Sequence, residues 1–195
     1  MIPKLSLIIS FYNKPDLLQR VLESVALQTM PNFEVVIADD GSKAEAVEQI
    51  ERMKKQFAFP IIHIWQEDDG WQKNRILNKA VVAARGEYLV FIDGDCLLER
   101  HFLEEHYAGR KQGEVVTGRR VLLTPRTTQQ LLAQSVSKNS FGVCLFFRLL
   151  GETLFRHQKT QMEQMIRLPQ WLRRLLVKER KRYILGSNFS LYKAD

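Results

Sequence analysis

The sequence has little cysteine and no long apolar run. Its 195 residues include two cysteines, Cys96 and Cys144, which cannot form a disulfide framework and lack the spacing of metal ligands. The apolar run FGVCLFF ends at Arg148, far short of the roughly 20 apolar residues that a membrane span needs. The early stretch LSLIISFY is too short for a signal-peptide core and lacks a small-residue cleavage site. We therefore expect a cytoplasmic protein.

The two common glycine motifs that bind phosphate are also absent. Neither G-x-G-x-x-G nor G-x-x-x-x-G-K-[ST] occurs, which excludes the dinucleotide-binding fingerprint and the P-loop. Any phosphate would therefore have to be held by a metal ion and basic side chains. No internal repeat or low-complexity linker divides the chain, so we expect a single domain over residues 1–195.

Charge is unevenly distributed along the chain. The net charge is +7, yet residues 1–100 hold 12 Lys and Arg against 15 Asp and Glu, and the remaining residues hold 17 against 7. The basic half suggests nucleic acid or a membrane surface as a partner. Because no aromatic stacking pattern, helix-turn-helix or RNA-binding signature accompanies it, a nucleic-acid-binding module is the less favoured alternative.

Strand and helix patterns alternate over the first hundred residues. Buried strands are predicted for LSLIIS, FEVVIADDGS, FPIIHIWQ and EYLVFIDGD. Between them, helices are predicted from Asp16 onward, over 44–57 and over 72–85, the last ended by Gly86 in a left-handed cap. This order predicts an α/β fold with a doubly wound, mostly parallel sheet and helices on both faces. After it we expect a strand or hairpin in EVVTGRRVLLTP, basic helices over 128–182 and a last strand in YILGSNFSLY.

Acidic residues follow three of the predicted strands. Ligands of such sheets bind beyond the carboxyl ends of the strands, where this chain carries SFYN, ADDGS, QEDDGW and DGD. Asp93 and Asp95 could share a hard cation such as Mg²⁺ or Mn²⁺, although a solvated acidic turn would look the same. Asp40 or Ser42 could alternatively cap the next helix. Together the carboxylates would repel one another unless a cation lay between them. A divalent metal that carries a nucleoside diphosphate would be such a cation.

Five segments in order resemble the family 2 glycosyltransferases. They are SFYNK, QTMPNFEVVIADDGS, WQEDDGWQKNRILNKAV, ARGEYLVFIDGDC and GSNFSLYKAD, and the resemblance covers residues 3–124 and 184–195. It implies the GT-A fold and inverting, metal-assisted transfer of a sugar from a nucleotide donor, UDP foremost, to a glycan or lipid-linked acceptor. On that basis residues 1–113 would form the nucleotide-sugar-binding half, and 114–195 a helical half on the acceptor side.

The resemblance assigns roles to individual residues. Ser10, Tyr12 and Asn13 would line the nucleoside pocket, and Asp40 would hydrogen-bond the base, with Asp39, Gly41 and Ser42 beside it. Asp95 would bind the Mn²⁺ or Mg²⁺ that bridges the diphosphate, and Asp93 would lie near the ribose or the ion. Relatives often carry Arg before the Asn of the third helix, where this chain has Leu77 and Asn78. Arg75, on the same helix face, is expected to replace it as a diphosphate contact or else to be a solvated charge.

The last residues depart from the family pattern. In relatives an acidic pair that supplies the general base soon follows the GSN segment, whereas this sequence ends at Asp195, too early to match. We therefore expect a donor-binding portion, either truncated from a longer protein or the product of a shortened gene, and name no catalytic base. The alternative is a non-catalytic nucleotide-sugar-binding or assembly fragment.

Several residues outside these motifs carry weaker expectations. Residues 169–182 (PQWLRRLLVKERKR) have the pattern of a basic amphipathic helix, which predicts peripheral contact with the inner membrane face or, alternatively, packing on the domain. His101 and His106 are expected on a surface helix rather than on zinc, and Cys96 is expected to pack rather than react. Trp65 is expected in the core, while Trp71 could wall the donor or acceptor site.

Overall fold

The fold is a six-stranded sheet flanked by helices. The computed structural model describes residues 2–137, 143–156 and 186–195. Its strands are β1 (Leu5–Phe11), β2 (Phe33–Asp39), β3 (Ile61–Trp65), β4 (Tyr88–Asp93), β5 (Val116–Thr117) and β6 (Asn188–Tyr192). Its helices are α1 (Pro15–Ala26), α2 (Ala44–Lys54), α3 (Lys73–Ala83), α4 (Phe102–Ala108), α5 (Pro125–Leu132) and α6 (Val143–Arg156).

The sheet is mostly parallel and has the order β3-β2-β1-β4-β6-β5. β1 lies between β2 and β4 and runs parallel to both. β6 runs antiparallel to β4 and to β5. From β1 the chain adds β2 and β3 on one side of the sheet and then returns to add β4 on the other side of β1. The strand order therefore reverses at β1. Ligands of open α/β sheets bind at such a switch point.

Helices cover both faces of the sheet, as predicted. Alternate residues of a strand point to opposite faces, so Leu5, Leu7 and Ile9 of β1 pack with the apolar residues of α1 and α2 in one buried cluster. Ile8 packs in the second cluster with Ile76 of α3. We call these two sides the α1 face and the α3 face. At about 25 cal/mol per Å² of apolar surface, their burial is the main stabilising contribution.

A buried carboxylate lies near the amino ends of the parallel strands. Glu34 is fully buried and accepts hydrogen bonds from Ser6 Oγ (2.7 Å), the Arg85 amide (2.6 Å) and Arg85 Nε (2.7 Å). Burial raises the pKa of Glu34, but the bonds from Arg85 and Ser6 outweigh it and hold the pKa below its usual value. This cluster lies far from the carboxyl ends of the parallel strands.

The structure contradicts the expected left-handed cap at Gly86 and bears only in part on two later segments. Gly86 does not take a left-handed conformation; it is required because a Cβ there would lie 2.6 Å from the Ser6 amide nitrogen. The segment EVVTGRRVLLTP contains only the two-residue strand β5. Of the basic helices expected over 128–182, part of α5 and all of α6 fall within the described residues, whereas the 169–182 segment lies outside them. None of the described helices is both long and apolar enough to span a membrane.

Candidate nucleotide-sugar site

The carboxyl ends of β1, β2 and β4 bring the predicted polar residues side by side. In the strand register Ser10 is paired with Asp93, and Phe11 is paired with Asp39. Alternation along each strand then sorts the side chains by face. Ser10 and Asp93 have the same parity as Ile8 and Phe91, which pack on the α3 face. The candidate site therefore lies on the α3 face of this edge.

The turn after β4 is fixed by its contact with β1. Ser10 Oγ donates a hydrogen bond to Asp93 Oδ1 (2.8 Å), and the Gly94 amide donates to the Ser10 carbonyl oxygen (2.8 Å). A Cβ on Gly94 would lie 2.8 Å from that same oxygen, so a glycine is needed for the close approach. Asp95 follows the turn and is exposed. The two carboxylates predicted to share a cation thus flank a tightly held turn.

Asp39 serves the structure of the turn after β2. It is fully buried on the α1 face, where Oδ1 accepts a hydrogen bond from the Ser42 amide (2.9 Å) and Oδ2 contacts His63 Nε2 (3.0 Å). Its parity with Val35 and Ile37, both in the buried cluster on that face, accounts for this position. Asp39 therefore stabilises the turn after β2 and does not line the candidate site.

Asp40 is the anchor of the loop that follows β3. Its Oδ1 accepts a hydrogen bond from Gln66 Nε2 (2.6 Å), and its Oδ2 accepts one from the Gln72 amide (3.0 Å). Because these partners stand at the two ends of residues 66–72, one carboxylate pins both ends of that loop. Gln66 is buried, and its side-chain oxygen has no hydrogen-bond partner among the described residues. A buried acceptor of this kind is suited to a donor group from a ligand.

The loop crosses directly over Gly41. Gly41 has a φ of +94°, and a Cβ there would lie 2.5 Å from Asp68 Cα and 2.7 Å from the Asp68 nitrogen. Both the conformation and the contact require glycine. Tyr12 reaches the loop from β1, its hydroxyl donating to Asp68 Oδ2 (3.0 Å). That hydrogen bond, with the negative charge of Asp68, raises the pKa of Tyr12.

Asn13 and Ser42 tie the turns after β1 and β2 together. The Asn13 amide donates to Ser42 Oγ (2.9 Å), and Asn13 Oδ1 accepts from the Lys43 amide (2.9 Å). Asn13 has a φ of +49°, which asparagine tolerates better than most residues. The alternative that Asp40 or Ser42 caps α2 is wrong, because the residue preceding the helix is Lys43 and none of the described side chains caps it.

Trp65 and Trp71 lie outside the core. Trp65, expected to be buried, is 48% exposed, because it ends the edge strand β3; its Nε1 donates to the Ser42 carbonyl oxygen (3.0 Å). Trp71 is 85% exposed at the end of the loop. With Tyr12 they place three aromatic side chains around the 66–72 loop, a surface on which a base or a sugar ring could stack.

The basic residue that contacts this edge is Lys73 rather than Arg75. Lys73 begins α3, and its Nζ forms an ion pair with Asp93 Oδ1. Arg75 is exposed, and no hydrogen bond or ion pair joins its guanidinium to the described residues. Sequence reasoning missed Lys73; the available signal was its place at the first turn of α3, the helix that packs on the same face as Asp93.

β6 brings the GSN segment to the same edge. Asn188 is paired with Ile92, just before Asp93, and its Nδ2 donates to the Arg119 carbonyl oxygen (2.9 Å). The next residue, Arg120, donates from Nη1 to Ser187 Oγ (2.8 Å). Asp195 lies at the opposite edge, beyond Tyr192, where its carboxylate accepts from the Gly113 amide (2.9 Å). Asp195 therefore lies away from the candidate site.

His106 is not on an exposed helix surface, contrary to expectation. It is buried between α4 and β6, where Nδ1 contacts Ser190 Oγ (2.7 Å) and Nε2 contacts Asn188 Oδ1 (2.9 Å). Burial lowers the pKa of His106 to about 4, so the imidazole is neutral at physiological pH. The ring therefore fixes Asn188 and the start of β6.

Cys96 behaves as a packing residue. It packs against the cluster on the α1 face, and burial, with the nearby charge of Asp95, raises the pKa of its thiol to about 11. A thiol with so high a pKa is a poor nucleophile at neutral pH, because the reactive species is the thiolate.

Asp93 and Asp95 fit a divalent cation that also binds a ligand. In residues 2–137, 143–156 and 186–195, no group of three His, Cys, Asp or Glu side chains forms a complete protein cage for a metal. Mg²⁺ is commonly held by only one or two carboxylates and completes its shell with water and substrate phosphates, and Mn²⁺ prefers similar ligands. Two hard oxygen donors on a rigid turn match that requirement.

Comparison with known proteins identifies the family. The family model for glycosyl transferase family 2 matches residues 6–176, most of the chain. The chain belongs to glycosyl transferase family 2. The resemblance inferred from the motifs is thereby confirmed.

Curated relatives of this family 2 chain are similar over about half of its length. EpsH of Bacillus subtilis, which carries the name glycosyltransferase, is 39% identical over 105 residues, 53% of this chain and 29% of EpsH. Cholesterol galactosyltransferase of Borreliella burgdorferi is 32% identical over 104 residues, 53% of this chain and 28% of that protein. The chain spans less than a third of the length of these relatives.

A solved structure shares the fold of this family 2 chain. Mannosyltransferase PcManGT from Pyrobaculum calidifontis, in complex with GDP-Man and Mn²⁺, superposes with a TM-score of 0.55 at 23% identity, covering 67% of this chain and 38% of that one. The predicted α/β fold of the GT-A type is confirmed by this likeness and by the sheet order.

Proposed function

We propose that this chain binds the donor of a glycosyltransferase that moves a sugar from a nucleoside diphosphate, UDP foremost, to a glycan or lipid-linked acceptor with inversion at the sugar. One observation carries the proposal. In a family 2 chain, the parallel strands place Asp40, Asp93 and Asp95 at one sheet edge, on turns held by hydrogen bonds. Residues 1–113 would supply the donor site, and 114–195 would supply the acceptor side.

The nucleoside would lie against the loop of residues 66–72. Each oxygen of Asp40 accepts one hydrogen bond within the protein, and a carboxylate oxygen can accept a second, so Asp40 can still bind an N–H of the base. The unpartnered oxygen of Gln66 offers another acceptor beside it. Ser10 and Tyr12 would complete the wall, while Asn13, Asp39, Gly41 and Ser42 hold the two turns in place.

The diphosphate would lie toward the turn after β4. Sugar transfer leaves negative charge on the departing nucleoside diphosphate, and a divalent cation held by Asp93 and Asp95 supplies the stabilisation of that charge when it is bound. The rigid Ser10–Gly94 contact keeps both carboxylates in position without reorganisation during the reaction. We assign no general base to the described residues.

Calorimetric titration with UDP and GDP tests the proposal. The wild type should bind UDP in the presence of Mn²⁺ and lose most of that binding when EDTA is added. Asp95→Asn should bind UDP at least tenfold more weakly, because one of two metal ligands is neutralised. The matched control is Glu87→Gln, which neutralises an exposed carboxylate just before the other end of β4. Absence of nucleotide binding by the wild type, or equal loss in both variants, would refute the proposal.

A further inference from the structure

Lys73 forms an ion pair with Asp93 that is expected to contribute little to the stability of the fold. Its Nζ contacts Asp93 Oδ1, the oxygen that also accepts the hydrogen bond from Ser10 Oγ. The two charged side chains are 24% and 30% exposed. Partly exposed ion pairs usually contribute little to stability, because ordering a long lysine side chain opposes the Coulombic gain. The pair therefore calls for another reason.

Among the described residues, Lys73 is the basic residue that forms an ion pair with an aspartate of the candidate site. Asp39 contacts His63, and Asp40 is satisfied by neutral amides. Among the described residues, no other lysine or arginine pairs with Asp39, Asp40, Asp93 or Asp95. The ammonium thus neutralises a carboxylate that is also a candidate ligand of a divalent cation.

Resting on the function proposed above, we propose that Lys73 changes partners when the donor binds: its ammonium leaves Asp93 to a divalent cation and pairs with the diphosphate of the nucleotide. Lysine suits such an exchange, because its charge is a compact point on a flexible stem with three rotatable donors. Lys73 and Asp93 each keep a partner of opposite charge before and after the exchange. It predicts that Lys73 opposes metal binding in the absence of nucleotide and favours nucleotide binding in the presence of metal.

Those two effects have opposite signs, which makes the exchange testable. The variant is Lys73→Met, which keeps the length of the stem and removes the charge; Lys79→Met, an exposed lysine on the same helix, is the matched control. Free Mn²⁺ is counted by electron paramagnetic resonance during titration of the protein without nucleotide. UDP affinity is measured by calorimetry at saturating Mn²⁺.

We expect Lys73→Met to bind Mn²⁺ severalfold more tightly than the wild type and UDP about tenfold more weakly, while Lys79→Met matches the wild type in both titrations. Lys73→Arg, which keeps the charge, should retain UDP affinity within a few fold of the wild type. Unchanged Mn²⁺ and UDP affinities in Lys73→Met, losses of both, or an equal UDP loss in Lys73→Arg would overturn the exchange.

The outcomes for the exchange and for the proposed function stay separate. If the wild type binds no nucleoside diphosphate with Mn²⁺, the proposed function fails. If the wild type binds UDP and Lys73→Met binds Mn²⁺ and UDP as the wild type does, the donor site stands and only the exchange fails. The urea midpoint of each variant establishes that the protein compared is folded.

Discussion

Replacement of Gly41 by alanine should damage both stability and the donor site. At a φ of +94°, a non-glycine residue costs about 1–2 kcal/mol. The new Cβ would also lie 2.5 Å from Asp68 Cα, a backbone atom that cannot rotate away, and overpacking of this kind costs about 1–3 kcal/mol. We therefore expect Gly41→Ala to lower the free energy of unfolding by about 2–5 kcal/mol.

Gly113→Ala is the matched control for this experiment. Gly113 has a φ of +73°, and no atom lies within 4 Å of the position that an added Cβ would take, so the substitution carries the conformational cost without the clash. It lies near Asp195, away from the candidate site. We expect it to lower the free energy of unfolding by about 1–2 kcal/mol. Urea titration followed by linear extrapolation measures both variants.

The same two variants distinguish an effect on the loop of residues 66–72 from a general loss of stability. Because Asp68 must move to admit a Cβ at Gly41, the loop of residues 66–72 should lose its contacts with Asp40, and UDP affinity should fall in Gly41→Ala. UDP affinity should remain unchanged in Gly113→Ala. Equal losses of stability in the two variants, or unaltered UDP binding by a folded Gly41→Ala, would refute the assigned role of the Gly41–Asp68 contact.

Two further predictions concern buried ionisable groups. The pKa of His106 is about 4 in the folded protein against an ordinary value of 6.5. Its stabilising effect is therefore present above pH 6.5 and is lost as the pH falls from 6.5 toward 4, because over that range the unfolded chain takes up more protons than the folded protein. Between pH 7 and pH 4 the wild type should lose about 3 kcal/mol more unfolding free energy than His106→Gln, and parallel pH profiles would contradict this. Glu34→Gln should lower the free energy of unfolding at pH 7 by about 2–3 kcal/mol, because it places an amide N–H₂ against the donors of Arg85 and Ser6. Urea titration measures this loss, and UDP affinity should stay unchanged. A loss of unfolding free energy below about 0.5 kcal/mol would contradict the prediction.

The central strands and the general place of the site could be predicted from the sequence. β1, β2 and β4 are nearly continuous apolar runs, because helices cover them on both faces. Such runs are easy to recognise in the sequence, since polar residues do not alternate with apolar ones along them. The polar turn after β1 and the acidic turns after β2 and β4 had to meet at one edge, since parallel strands end together. The antiparallel placement of β6 beside β4 depends on contacts across about a hundred residues, which no local pattern encodes.

The roles of individual site residues depended on details that the motifs do not carry. Strand parity separates Asp39, buried on the α1 face, from Asp40, which holds the loop on the α3 face, although the two carboxylates are adjacent in sequence. The contact of Lys73 with Asp93 depends on where α3 begins, and helix ends are the least certain feature of a sequence pattern. His106 is buried because β6 returns beside α4 from the far end of the chain.

The central claim is that a nucleoside diphosphate and its metal bind at the carboxyl edge of the sheet. Amide spectra of glycine-labelled protein test it directly, because Mn²⁺ broadens nearby resonances while Mg²⁺ does not. Gly41 and Gly94 lie at that edge, whereas Gly86 lies beyond the other end of the six-residue strand β4, about 20 Å away or more. With UDP and Mn²⁺, the Gly41 and Gly94 signals should broaden while those of Gly86 and Gly113 stay sharp. Sharp Gly41 and Gly94 signals, or equal broadening of all four, would contradict the account.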